Sequence, residues 1–174
     1  MATGDIVLRP AERTDAACLA SLAALASDGF VTRLWAQLAE GDEQPMDVGA
    51  RRIAEGEGTL SWRNGVLALI DGAVAGGMVT SRIGLAPEPL EPLPAMLRPM
   101  QALKNRALGA HYVNILASLP AFRRRGVASA LLGEAARLAE GGLPGYAWSS
   151  PTATSGPGGF TRTSGFLPWP SRQW

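Results

Sequence analysis

The residues best suited to chemistry lie within 112–140. An apolar, strand-like run over 113–119 is broken by Pro120 and Ala121. Then come Phe122, three consecutive arginines (Arg123, Arg124 and Arg125), Gly126, Val127 and Ala128. From Ser129 the spacing turns helical, with Leu131, Leu132, Ala135, Ala136, Leu138 and Ala139 on one broad stripe. A strand that passes through a small-residue loop into a helix N-terminus makes a phosphate cradle. The first helical N–H groups have no partner within the helix, the helix dipole places partial positive charge there, and glycine lets the backbone approach an anion. Three guanidinium groups on the same loop add full charges. The expected ligand is rich in phosphate.

These residues carry a family resemblance. Arg123-x-x-Gly126-x-Ala128 resembles the Gln/Arg-x-x-Gly-x-Gly/Ala signature of the GCN5-related N-acetyltransferases. Leu116-Ala117-Ser118 is similar to the segment whose backbone pairs with the pantetheine arm in that family, and Ser164-Gly165-Phe166 falls where the family keeps a Gly-Phe pair. The resemblance implies acetyl-CoA as co-substrate. Its pantetheine would lie along Leu116, Ala117 and Ser118, and its diphosphate on Arg123, Arg124, Arg125, Gly126, Val127, Ala128 and Ser129. It also implies direct attack on the thioester by a primary amine of a small molecule or protein. Two helices after the first strand would wall off the acceptor, which makes Phe30, Trp35 and Trp62 candidates for lining its pocket.

Acyl transfer to an amine requires a deprotonated nucleophile, in-line positioning, a donor for the tetrahedral oxyanion and departure of the thiolate. The resemblance puts the oxyanion donor at a bulge near Leu116. Strict strand alternation places Tyr112, Asn114, Leu116 and Ser118 on one face, opposite His111, Val113, Ile115 and Ala117. Tyr112 and Asn114 are therefore the candidate catalytic residues, orienting the acceptor or relaying its proton through water. Glu57, Asp28 and Tyr146 stand in reserve, and His111, the lone histidine, reads as exposed and inert. Where the family usually has a tyrosine that protonates sulfur, this chain has Thr161, and Thr154 replaces a frequent asparagine. A thiol with a pKa of about 8.5 leaves readily without an acid. The competing reading is a catalytically weak acyl-CoA-binding or regulatory module, and Thr161 and Thr154 motivate it. A Rossmann domain is disfavoured, because no G-x-G-x-x-G follows the first strand.

The elements that must position this site follow in chain order. A short strand ends at Pro10, and Thr14 or Asp15 caps a helix that runs to Asp28-Gly29. Helical spacing continues through Phe30, Leu34, Trp35 and Leu38, and again over 46–54. Two apolar runs, 66–70 and 73–83, flank Asp71-Gly72, which predicts a β-hairpin. Gly76-Gly77 in the second run suggests a bulge or a close backbone approach. Residues 84–110 form a Pro-rich insertion with a helix interrupted at Pro99, and serve as lid, dimer contact or packed loop. After the helix that starts at Ser129, residues 146–150 read as a strand, which the resemblance implies runs parallel to the central one and splays from it. Residues 167–174 read as a closing edge strand. The fold class is α/β (α+β mixed): by resemblance, a strongly twisted mixed sheet of roughly six to seven strands flanked by about four helices. The order is β-α-α-β-β-(insert)-β-α-β-α-β.

A chain of 174 residues is a single domain by length. One cysteine, Cys18, excludes an internal disulfide and a cysteine metal cluster, and no metal is expected. No apolar run has a membrane span's length, and the N-terminus lacks a secretory pattern, so the expected home is cytoplasmic. Acids concentrate over 40–57, whereas beyond Glu91 only Glu134 and Glu140 are acidic against nine Lys and Arg residues. That asymmetry suits a polyphosphate on the C-terminal half and a cationic amine near the N-terminal half. The basic residues form no long stripe with interleaved aromatics, so nucleic acid is not an expected partner. The insertion and 167–174 are candidate homodimer contacts.

Overall fold

The computed structural model describes residues 5–140 and the backbone of 146–148. Among these, five strands form one sheet in the order β1-β2-β3-β4-β5: β1 (Ile6–Pro10), β2 (Gly65–Ile70), β3 (Ala73–Arg82), β4 (His111–Ser118) and β5 (Tyr146–Trp148). The first four run antiparallel, and β5 lies parallel to β4. Five α-helices accompany them: α1 (Ala16–Ala26), α2 (Phe30–Gln37), α3 (Pro45–Glu55), α4 (Arg98–Lys104) and α5 (Val127–Glu140). Three helices, not two, thus follow the first strand. The expected strand over 167–174 lies outside the described residues, as do Thr154, Thr161 and Ser164-Gly165-Phe166. None of the described helices is long and apolar enough to cross a membrane, and no group of three His, Cys, Asp or Glu is placed to hold a metal among the described residues.

Two hydrophobic clusters divide the interior at the sheet. On one face Leu19, Leu22, Trp35, Val48 and Ile53 of α1–α3 pack against Leu67, Val79, Ile115 and Ala117. On the other, Val127, Leu131 and Ala135 of α5 pack against Ile70, Ala75, Met78 and Val113. The α5 stripe is buried at Val127, Leu131, Ala135 and Ala139, every fourth residue, as a single apolar seam on a surface helix requires.

The hairpin turn is built as expected. Asp71 and Gly72 have φ of 52° and 78°, the left-handed pair that matches strand twist. The register then slips: Ala68 faces Gly76 while Leu69 faces Val74, so Ala75 is an extra residue beside Gly76. Pro99 does not interrupt its helix. It sits in the first turn of α4, where a missing N–H costs nothing and the fixed φ favours initiation. The insertion is braced from within. The Asn105 side chain accepts from the Glu88 N–H at 3.0 Å and donates to its carbonyl at 2.7 Å, while Ile83 N–H donates to Ala110 O at 2.9 Å across its base.

Asp15 does not cap α1 with its side chain. Its carboxylate accepts the Glu12 N–H at 2.7 Å and a two-pronged contact from Arg9 at 2.7 and 2.9 Å. The Arg9 guanidinium, opposed in part by burial, holds the Asp15 carboxyl below the ordinary carboxylate range. A lowered folded pKa means that the contribution is fully present above the unfolded value near ~3.9 and fades as pH falls through the depressed value. Asp15→Asn is therefore expected to cost up to about 1 kcal/mol at neutral pH, with the difference from wild type closing in acid denaturation below that window.

Candidate active site

β4 is the spine of the site. Val79 faces Ile115 and Thr80 faces Val113, which leaves Asn114 as the extra residue of a β-bulge. A bulge breaks side-chain alternation. Val113 and Leu116 both pack on the α5 side, whereas Ile115 and Ala117 belong to the α1–α3 core. The strict alternation read from the sequence is thus overturned: Leu116 does not share a face with Asn114. The Asn114 amide donates to Ser81 Oγ at 2.9 Å, and Ser81 stands opposite Tyr112 in the register. The bulge lies at Asn114, two positions before Leu116. Tyr112 is 4% exposed, with the Lys104 ammonium of α4 over its ring, 4.6 Å from the centroid. Burial lowers the Lys104 pKa, partly opposed by Glu88. Lys104 and Ser81 are neighbours of the candidate pair that the sequence did not signal, because both are brought in by pairing and by the insertion's path. Asn114→Ala should destabilise the chain by about 0.5–1.5 kcal/mol, the net worth of one hydrogen bond, with Ser81→Ala costing little more in that background; thermal or urea unfolding of the double-mutant cycle reads it.

β5 pairs with β4 only at His111, Tyr112 and Val113. From Asn114 to Ser118 the outer edge of β4 therefore carries no strand partner among the described residues. Leu116, Ala117 and Ser118 sit on that edge. Their side chains are half-buried, buried and half-buried in turn, so the backbone is what they offer a ligand.

The loop after β4 begins with a 3-10 turn, Pro120–Phe122, anchored by Leu119 N–H donating to Ala75 O at 2.8 Å. Arg124 and Gly126 then take φ of 59° and 84°, which turn the chain sharply into α5. Ala130 N–H bonds to Gly126 O at 2.9 Å, so α5 starts at Val127. The N–H groups of Val127, Ala128 and Ser129 precede that first helical bond and face the loop without helical acceptors. Arg123 and Arg124 are exposed, and Arg125 is half-buried with its guanidinium 5.5 Å from the Phe122 ring centroid. No acid pairs with these three among the described residues. Val127 contributes only its amide: its side chain is 1% exposed and packed under the sheet.

The three aromatic candidates are not brought together. Trp35 is 3% exposed in the α1–α3 core, and its ring occupies the space where a Cβ on Gly49 would stand, 2.6 Å away. It is a core residue. Trp62 is half-buried at a 3-10 turn before β2, stacked 4.7 Å from the Arg63 guanidinium. Phe30 is half-buried at the start of α2. Of the reserve groups, Asp28 and Glu57 are exposed, and the Tyr146 side chain lies outside the described residues. His111 is not exposed: the ring is half-buried, and its Nε2 is buried without a partner among the described residues.

No protein-family model matches the chain, and neither does any curated protein. Solved structures do match. An acetyltransferase crystal structure is similar at 18% identity over 78% of this chain and 75% of its own, with a TM-score of 0.52. The predicted acetyltransferase of Clostridium acetobutylicum, solved with acetyl-CoA, is similar at 15% identity over 94% of both chains, TM-score 0.52. An aminoglycoside N-acetyltransferase in complex with CoA is similar at 18% identity over 85% of this chain and 79% of its own, TM-score 0.52. The chain shares the fold of these solved acetyltransferases.

Proposed function

We propose that the protein is an acetyl-CoA-dependent N-acetyltransferase that passes the acetyl group directly to a primary amine of a small molecule or protein. The observation that carries this reading is the join of β4 to α5. Among the described residues, a strand edge without a partner runs into a loop with two left-handed residues, three arginines without acid partners, and a helix N-terminus. Two proteins of the same fold were solved with acetyl-CoA or CoA. On this reading the pantetheine lies along Leu116, Ala117 and Ser118. The diphosphate meets the N–H groups of Val127, Ala128 and Ser129 with Arg123, Arg124 and Arg125 around it.

The thioester carbonyl then falls near the bulge at Asn114. A peptide N–H freed from the regular ladder there donates to the developing oxyanion, which is worth most where water is excluded. The neutral amine attacks the carbonyl carbon, the C–S bond breaks, and CoA leaves as thiolate. The amine's proton passes to water or to a group relayed by Tyr112 and Asn114. Release of free thiol from acetyl-CoA across a panel of primary amines tests the proposal. Amine-dependent turnover above the hydrolysis background supports it, whereas tight acetyl-CoA binding without turnover on any amine assigns the chain to a binding module.

A further inference from the structure

A second cleft lies on the α5 face of the sheet, beyond the middle of α5 and away from the loop at its N-terminus. It has a volume of about 460 Å³ and is lined by the ends of β1, β3 and β4's first residue, the start of β2, and Glu134, Arg137 and Leu138 of α5. This is within the range of pockets that hold small molecules. Its lining is cationic. Arg63, Arg82 and Arg137 are among its residues, but the Arg63 guanidinium is stacked on Trp62, and Arg137 is held by the one carboxylate, Glu134, at 2.8 Å through Nε and at 2.6 Å through a terminal nitrogen. That leaves Arg82, which has no carboxylate partner among the described residues. Thr80 adds a hydroxyl-bearing side chain.

His111 also lines this cleft, and its Nε2 is the one buried side-chain polar atom left without a partner among the described residues. A buried polar atom left unpaired is unfavourable, and an acceptor in the cleft would satisfy it on rotation of the ring. Burial, and then the Arg82 charge, lower the His111 pKa, so the ring favours its neutral form beside the Arg82 cation.

We infer that this cleft is a binding site for a small organic or inorganic anion, a carboxylate or phosphate held by Arg82, with His111 turning to present Nε2 as the orienting donor. It is separate from the loop before α5 and does not depend on the acetyl-transfer reading. Because His111 is the chain's single histidine, its ring resonances report on the cleft alone. The full chain is titrated with inorganic phosphate and, separately, with citrate, at constant ionic strength set with chloride. The inference expects saturable movement of the His111 ring resonances with at least one of the two anions. It expects that binding to weaken about tenfold in Arg82→Gln, the loss of one charge-assisted contact, and to persist in the Arg123→Gln/Arg124→Gln double variant. Absence of saturation with both anions, an unchanged affinity in Arg82→Gln, or loss of the response in the loop variant would each overturn it.

Discussion

Gly126→Asp is expected to raise the acetyl-CoA dissociation constant by at least about a hundredfold, some 2.7 kcal/mol of binding free energy, while leaving a folded chain. Two effects combine. Gly126 holds φ at 84°, where a residue with a Cβ pays roughly 1–2 kcal/mol, so the loop relaxes away from the geometry that aims the α5 amides. The new carboxylate also sits where the proposed diphosphate must lie, and it neutralises part of the field of Arg123, Arg124 and Arg125. Space is not the obstacle: a Cβ there would meet only Ile6 Cδ1, at 3.6 Å. Gly126→Ala therefore separates the two effects, since it meets the φ cost without the charge. Isothermal titration of wild type and both variants with acetyl-CoA, alongside thermal unfolding, reads the difference. Equal affinity in all three would remove the loop from the proposed mechanism.

Gly76→Ala should be the most damaging single methyl added to the sheet, destabilising the chain by about 3 kcal/mol, the upper part of the usual overpacking range. A Cβ at Gly76 would collide with the carbonyl oxygen of Ala117, and would lie 2.8 Å from Val127 Cγ1 and 3.1 Å from Ser118 Cα. Two of those three neighbours are backbone and cannot swing aside. Either β4 is pried from β3 or the first turn of α5 lifts, and both movements displace the groups proposed to grip the cofactor. The expected fall in Tm is roughly 6–12 °C for a chain of this size, with weaker acetyl-CoA binding in whatever remains folded. Gly133→Ala on the exposed side of α5 has nothing within 4 Å and should instead stabilise by about 0.4–1 kcal/mol. Differential scanning calorimetry of the two variants checks both signs. A Gly76→Ala protein as stable as wild type would mean that β3, β4 and α5 do not approach as closely as described.

What the sequence disclosed, and what it hid, divides along the range of the forces involved. The hairpin was legible because Asp71-Gly72 is a local device with one favoured geometry. The α5 seam was legible because apolar residues recur at every turn of one helix. The stretch of β4 was legible too, within two residues at its start. The bulge at Asn114 was not, since it exists only in the register between β4 and β3, which no run of β4 residues specifies. That one slipped residue is why Leu116 faces α5 while Asn114 bonds to Ser81. Trp35 shows the same limit. Its helical spacing marks an apolar face, but only the missing side chain of Gly49 on a neighbouring helix makes that face core rather than pocket. His111 looked inert because nothing beside it in the chain demands a partner. Its setting, buried without a partner among the described residues and with Arg82 opposite it, comes from the sheet register. The candidate groups at Thr154 and Thr161 lie outside the described residues, so the acid side of the proposed chemistry rests on the ease of thiolate departure.

The most direct measurement is a crystal structure of the protein soaked with acetyl-CoA. The proposed mechanism requires diphosphate oxygens within about 2.7–3.2 Å of the amide nitrogens at the start of α5, with the pantetheine along the open edge of β4 and the thioester carbonyl beside the Asn114 bulge. Phosphates bound anywhere else on the chain, or no bound acetyl-CoA at saturating concentration, would contradict it.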